Sequence, residues 1–376
     1  MAEPLKNRFG PEVAQWVADR VAAVHRSFDR SRFLDRCLDG YEDLELTDRA
    51  RRIADGLAAE LPADRAAALA VVTEAVTRDP GEAEESDDGM GGFRYLPFVY
   101  FVGEHGGEHF DAAMTAQYEL TKRFTAEFSI RVFLADQPEA TLDRLAVWAS
   151  DPDADVRRLV TEGTRPRLPW APRLRAFQED PSPVLALLER LKDDPSEYVR
   201  RSVANNLNDI SKDHPDRVVD VAARWWTDGD EDRRRLVRHG LRTLVKQGHA
   251  PALAVLGYGP DSPAEVASVS VSPERVTIGD RVAVEVVVVN PATEPCGALV
   301  DLRMHFVRAD GSTSPKVFKG RELDLPAGGS GTVRKTISLA QLSTRRHHPG
   351  GHRVEVLVNG VVAGDAAFEV VEAVPA

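Results

Sequence analysis

The sequence predicts a multidomain chain: an all-α HEAT-like superhelical solenoid over residues 1–257, a linker over 258–266, and an all-β immunoglobulin-like sandwich over 267–376. Three observations predict it. Apolar residues recur at spacings of three and four through the first two thirds of the chain. An arginine-bearing template repeats within that region, and the apolar period switches to two after "GYGPDSPAE". With 376 residues, 43% of them hydrophobic, the chain has material for two cores.

The helices come first. "PEVAQWVADRVAAVHRSF" and "LTDRARRIADGLAAEL" alternate apolar and charged residues at helical spacing, with Thr47 placed to start the second and Pro62 to end it. The acidic, glycine-containing "PGEAEESDDGMGG" reads as an exposed loop. Four units then share one template: an acidic or polar start, a turn carrying Ile130-Arg131, Val156-Arg157-Arg158, Val199-Arg200-Arg201 or Arg233-Arg234-Arg235, and a second apolar helix such as "TLDRLAVWA" or "PVLALLERL". Such units bury their apolar faces only against neighbours, so stacking them lines one wall with guanidinium groups. After residue 265 come about seven β-rich runs between Gly, Pro, Asn and Asp turns. They suit an immunoglobulin-like sandwich without the two-cysteine bridge.

Cys37 and Cys296 lie far apart, which excludes a disulfide framework or a cysteine zinc site and suits a reducing cytoplasm. No signal peptide or membrane-spanning run is read, and a monomer is expected. The net charge of −12 argues against nucleic acid only as a total. Residues 1–150 sum to −11, residues 151–250 to +1 and residues 301–350 to +5, and local fields are what steer a polyanion.

"HGGEH", His105 to His109, matches an inverted zinc-protease pattern, but two glycines within the required helical turn argue against metal, and no cofactor is expected. Glu127, Glu162 and Asp209 fall in or beside the first helices of three successive units. Each alone reads as a surface ion pair or helix end, as in Glu127–Arg131 and Arg158–Glu162; together, on an arginine-rich wall, they read as a site. In "TEGTRPRLPW", Pro166 and Pro169 stiffen a connection that presents Arg165, Arg167 and Trp170. Such a segment can stack on a base or sugar and clamp phosphates, or simply anchor helices. "STRRHHPGGHR" concentrates Arg345, Arg346, His347 and His348 in what reads as a hairpin loop with Pro-Gly-Gly at its tip, suited to a minor groove.

These strings resemble the AlkC-type alkylpurine DNA glycosylases that carry a C-terminal immunoglobulin-like domain. "FRYLPFVYFV", "YELTKRFTAEFSIR", "TEGTRPRLPWAPRL", "YVRRSVANNLNDISKDHPDRV" and "STRRHHPGGHRVEVLVNG" carry the resemblance, with Val132 standing where a proline is expected. The resemblance implies hydrolytic excision of cationic alkylated bases, 3-methyladenine above all and 3-methylcytosine second, from double-stranded DNA. It implies Glu127, Glu162 and Asp209 as catalytic carboxylates and Arg158 and Trp170 as substrate contacts. Arg131, Arg165, Arg167, Arg201 and Arg235, with the β-domain loop, are the expected DNA contacts. A non-catalytic HEAT scaffold for nucleic acid or protein is the rival reading, and a zinc hydrolase using His105 and His109 the third.

Overall fold

The computed structural model describes residues 5–78, 91–259, 262–342 and 345–372. Its contacts divide the chain into two compact units, Met1–Asp213 and His214–Ala376. The acidic loop read over 80–92 lies almost wholly outside the described residues.

Unit one is helical throughout. It holds α1 (Pro11–Val24), α2 (Arg30–Leu38), α3 (Leu46–Glu60), α4 (Arg65–Thr77), α5 (Leu96–His105) and α6 (Phe110–Thr121). There follow α7 (Ile130–Asp136), α8 (Pro138–Trp148), α9 (Ala154–Gly163), α10 (Arg175–Glu179), α11 (Ser182–Leu191) and α12 (Glu197–Ile210). The α3 helix starts one residue before Thr47, with Glu45 in the N-cap position, and α1 stops at Val24 because His25 turns extended. Pro138 separates α7 from α8, at the helix position where its missing N–H costs nothing.

The repeat has a stereochemical grammar. Asp151 and Asp194 each precede a proline and accept the backbone N–H two residues on, at 2.9 Å in both units. Five or six residues later the first arginine of each pair reaches back. Arg157 donates to the carbonyls of Asp151 and Pro152, and Arg200 to those of Asp194 and Pro195. Arg157 also pairs with the buried Asp194 carboxylate, which ties α9 to the start of α12. The expected wall of guanidinium groups is corrected accordingly: the first arginine of each pair is spent on the helix entry, while Arg158 turns to Glu127 and Arg201 lies exposed beside Glu197.

Unit two opens with α13 (Pro215–Thr227), α14 (Glu231–Gly240), α15 (Arg242–Lys246) and α16 (Ala250–Val255). Eight strands follow: β1 (Glu265–Ser272), β2 (Arg275–Thr277), β3 (Arg281–Val289), β4 (Cys296–Val307), β5 (Thr313–Leu325), β6 (Ser330–Ser338), β7 (Gly350–Val358) and β8 (Val361–Val371). One sheet runs β1-β3-β6 and the other β2-β8-β7-β4-β5. The run "RVTIGDRVAVEVVVVN" becomes two strands because Gly279, at φ 105°, turns the chain between them. Val282, Val284, Val286 and Val288 of β3 alternate inward onto the core, where they meet Ala298, Val300, Leu302 and Met304 of β4. The segment holding Arg345 to His348 is not a hairpin with Pro-Gly-Gly at its tip; an isolated antiparallel bridge joins Leu342 to Arg345. It joins β6 in one sheet to β7 in the other, and Gly350, at φ 134°, opens β7 instead of forming a tip.

Candidate active site

In unit one, the turn before α7, the helix α9, the connection after it and the start of α12 surround a hollow of about 410 Å³. Its polar lining is Thr125, Glu127, Arg158, Glu162 and Arg165. Its apolar lining is Phe93, Phe124, Phe128, Trp170 and Tyr198, with Leu168 and Pro169. No residue of that lining is a lysine.

The carboxylates are held in one hydrogen-bonded chain. Glu127 Oε2 accepts from Arg158 at 2.7 Å and from the Thr125 hydroxyl at 3.1 Å. Glu162 is 6% exposed; its Oε1 accepts from Arg165 at 2.6 Å, with Arg158 at 3.6 Å, and its Oε2 accepts from the Ser202 hydroxyl at 2.6 Å. Arg165 continues to Asp209 at 2.8 Å, whose other oxygen takes Lys212 at 2.9 Å. Asp209 thus stands one step behind the hollow and is not part of its lining. The oxygens differ in one respect: Glu127 Oε1 has no protein partner among the described residues, whereas both oxygens of Glu162 and of Asp209 are occupied.

Trp170 is the sole large aromatic side chain in unit one with a positive φ, 63° among the described residues, and it is 65% exposed. A side chain with a Cβ pays about 1–2 kcal/mol for that left-handed backbone, so the surroundings must impose it. Arg131 does so. It is 4% exposed, and its guanidinium donates to the carbonyls of Gly163, Arg165 and Pro172, pinning both ends of the connection. Burial, with the Arg165 charge added, lowers its pKa to about 10.

Two expected phosphate contacts are corrected here. Arg131 and Arg165 are buried: the two terminal nitrogens of Arg131 donate to backbone carbonyls and Arg165 donates to the Glu162 and Asp209 carboxylates, so both hold the site together from within. Arg167 is half-buried and paired with Asp213 at 2.5 Å. Arg201 is exposed beside Glu197 at 2.9 Å, and in unit two Arg235 is exposed beside Asp232.

Elsewhere in unit two, Arg345 lies 4.3 Å over the Phe306 ring and Lys316 lies 5.1 Å over Phe318. Lys316 has its pKa lowered by burial and then by Arg345 and Lys246. Arg346 is exposed and His348 half-buried. His347 is corrected from a contact residue to a packing one: it is buried edge-on against Phe306, 5.2 Å between centroids.

The zinc-protease pattern needs His105 and His109 together on one helical turn. His105 ends α5 and His109 caps α6, with Gly106-Gly107 between, so they do not share a helical turn. Sequence reasoning missed Tyr198, Ser202, Phe93 and Lys316. Tyr198 carried a legible signal, an aromatic at an exposed first-turn position before "VRR", and Arg158 lies 5.2 Å over its ring.

A sequence profile described as the C-terminal Ig-like domain of uncharacterised protein YhaZ matches residues 265–372. The uncharacterized protein YhaZ of Bacillus subtilis (strain 168) is 32% identical over 368 residues, covering 97% of this chain and 99% of its own. The alkylpurine DNA glycosylase AlkC of Pseudomonas fluorescens, solved bound to DNA containing an abasic site analog, aligns with a TM-score of 0.86. It is 34% identical and covers 98% of this chain and 99% of its own. No helix among the described residues is long and apolar enough to cross a membrane. End-to-end likeness at this identity, in both sequence and structure, places the chain: it belongs to the family of AlkC-type alkylpurine DNA glycosylases with a C-terminal immunoglobulin-like domain.

Proposed function

We propose that this protein is a monofunctional glycosylase that removes cationic alkylated bases, 3-methyladenine above all and 3-methylcytosine second, from double-stranded DNA. The observation that carries this reading is the free Glu127 Oε1 in the lining of an aromatic hollow whose other carboxylate, Glu162, is fully engaged.

In the proposed reaction the bond between the sugar C1′ and N9 of 3-methyladenine breaks with its electron pair on the base. The base was cationic, so it leaves neutral and needs no acid. The sugar is left as an oxocarbenium-like cation, which Glu162 stabilises from a fixed position. Water adds at C1′ and gives its proton to Glu127, whose free oxygen can accept it. Asp209 and Ser202 orient Arg165 and Glu162. Trp170 and Tyr198 offer π faces to the sugar and the cationic base. The lining holds no lysine for Schiff-base chemistry, which supports a reaction without strand cleavage. In unit two, the Arg345 and Lys246 charges act on Lys316, and with Arg346 and His348 these cations suit a phosphate backbone.

The test is single-turnover release of free base from methylated duplex DNA in EDTA. Release by the wild type and a loss of about a hundredfold in Glu127→Gln and Glu162→Gln are expected. A folded wild type that binds DNA yet releases nothing would leave the scaffold reading in its place.

A further inference from the structure

Trp170 and Phe128 line a second hollow, of about 120 Å³, besides the larger one. Val99, Tyr100 and Val132 supply its walls, and the rings of Tyr100 and Phe128 lie 24° from parallel with centroids 6.5 Å apart. At the rim the Arg51 guanidinium sits 4.6 Å over Tyr100 and 3.4 Å from Glu104. Gly103, also in its lining, lets α5 pack closely here: a Cβ there would lie 3.3 Å from Ser129 and 3.5 Å from Val132. Nothing in the base-release chemistry uses this hollow.

We propose that it is a subsite for the nucleobase next to the damaged nucleotide on the same strand, with Trp170 standing between the two as a wedge. This rests on reading the larger hollow as the damage site. Three features carry it. The two hollows share a wall, so whatever adjoins the damaged nucleotide along its strand meets the second one. That second hollow has room for a single flat ring, bounded by aromatic faces and a guanidinium, the chemistry that holds nucleobases regardless of sequence. The indole is left exposed on a strained backbone, as an inserted side chain that parts a base step must be.

The test uses the full chain and fluorescence anisotropy with two kinds of duplex. One carries a single abasic analogue; the other also lacks the neighbouring base, tried on each side in turn. Tyr100→Leu keeps the buried bulk without the ring, and Val132→Phe fills the hollow from a partly exposed position. Each variant should bind the first duplex about tenfold more weakly than the wild type and, for one side, bind the doubly abasic duplex as the wild type does. Equal losses on both duplexes, or no loss on the first, would overturn the subsite. A wild type with no preference for the abasic duplex over intact DNA would instead overturn the damage-site reading, and the subsite with it.

Discussion

Arg131→Met is the perturbation that tests most directly how the site is built. Methionine keeps the stem and removes the guanidinium, so the carbonyls of Gly163, Arg165 and Pro172 lose their donor. Hydrogen bonds from a charged donor are worth about 2 kcal/mol each. Against the three stands the cost of burying the charge. Burial and the Arg165 charge pull the Arg131 pKa down to about 10, a penalty of about 3 kcal/mol. The difference leaves Arg131→Met about 3 kcal/mol less stable than wild type. Urea titration followed by hydrogen exchange on peptides of the first unit would measure it. A variant as stable as wild type would refute the arithmetic.

The functional consequence is separable from the stability. If the guanidinium acts by holding Trp170 in its positive-φ conformation, Arg131→Met and Trp170→Ala remove the same thing. Single-turnover base release, at a temperature where both variants are folded, should then fall by about the same factor in each. The double variant should lose little more, since residues acting through one shared element are non-additive. Losses that multiply in the double variant would show that Arg131 works by some other route.

Three further outcomes follow from the geometry. Ser202→Ala removes the donor to Glu162 Oε2 and should slow base release about tenfold with unchanged DNA affinity; an unchanged rate would remove Ser202 from the site. Lys316→Ala and Arg345→Ala should each flatten the slope of log affinity against log salt by about one unit, and equal slopes would mean that neither meets a phosphate. The sandwich should weaken as pH falls below about 6.5. Burial lowers the pKa of His352, and of His347 with help from Arg345, so the unfolded chain takes up protons there that the folded one refuses. Above that pH both states are neutral and stability is flat. A local contact adds to burial: Val307 N–H donates to His352 Nε2 at 3.3 Å, and a protonated Nε2 cannot accept it. Thermal unfolding at pH 5.5 and 7.5 decides, and equal midpoints would contradict it.

Much of this architecture was legible because it is written in local rules. "SDPDADVRR" and "DDPSEYVRR" repeat an Asp-Pro entry and a returning arginine, both readable one residue at a time. The sandwich announced itself through alternating valines. Orientation was not legible. Arg157 and Arg158 are adjacent, yet one closes its own helix entry and the other crosses to Glu127, a choice made by the stacking of neighbouring units. Arg131 and Arg165 read as surface cations because nothing in a linear string reveals that three carbonyls and two carboxylates converge on them. Ser202 was invisible for the same reason: a small hydroxyl on a buried helix face gains meaning only from Glu162, 40 residues earlier.

The arrangement of those charges answers a question that a site for a cation poses. An open pair of carboxylates would attract any cation, including the lysines and metal ions of the surrounding solution. Here Arg158 and Arg165 neutralise the pair in place and occupy two of its four oxygens, and the Ser202 hydroxyl takes a third, Glu162 Oε2. Buried ion pairs of this kind contribute little net stability, because desolvation offsets the attraction. What they supply is a fixed geometry in which one oxygen, Glu127 Oε1, is left to react. On the proposed reading, selection for a cationic base rests less on net negative charge than on the aromatic walls, which favour a delocalised cation in contact with a π face over a neutral base at the same distance. That proposed division, carboxylates for the sugar and rings for the base, would account for a hollow that carries five aromatic side chains alongside two acids and two arginines.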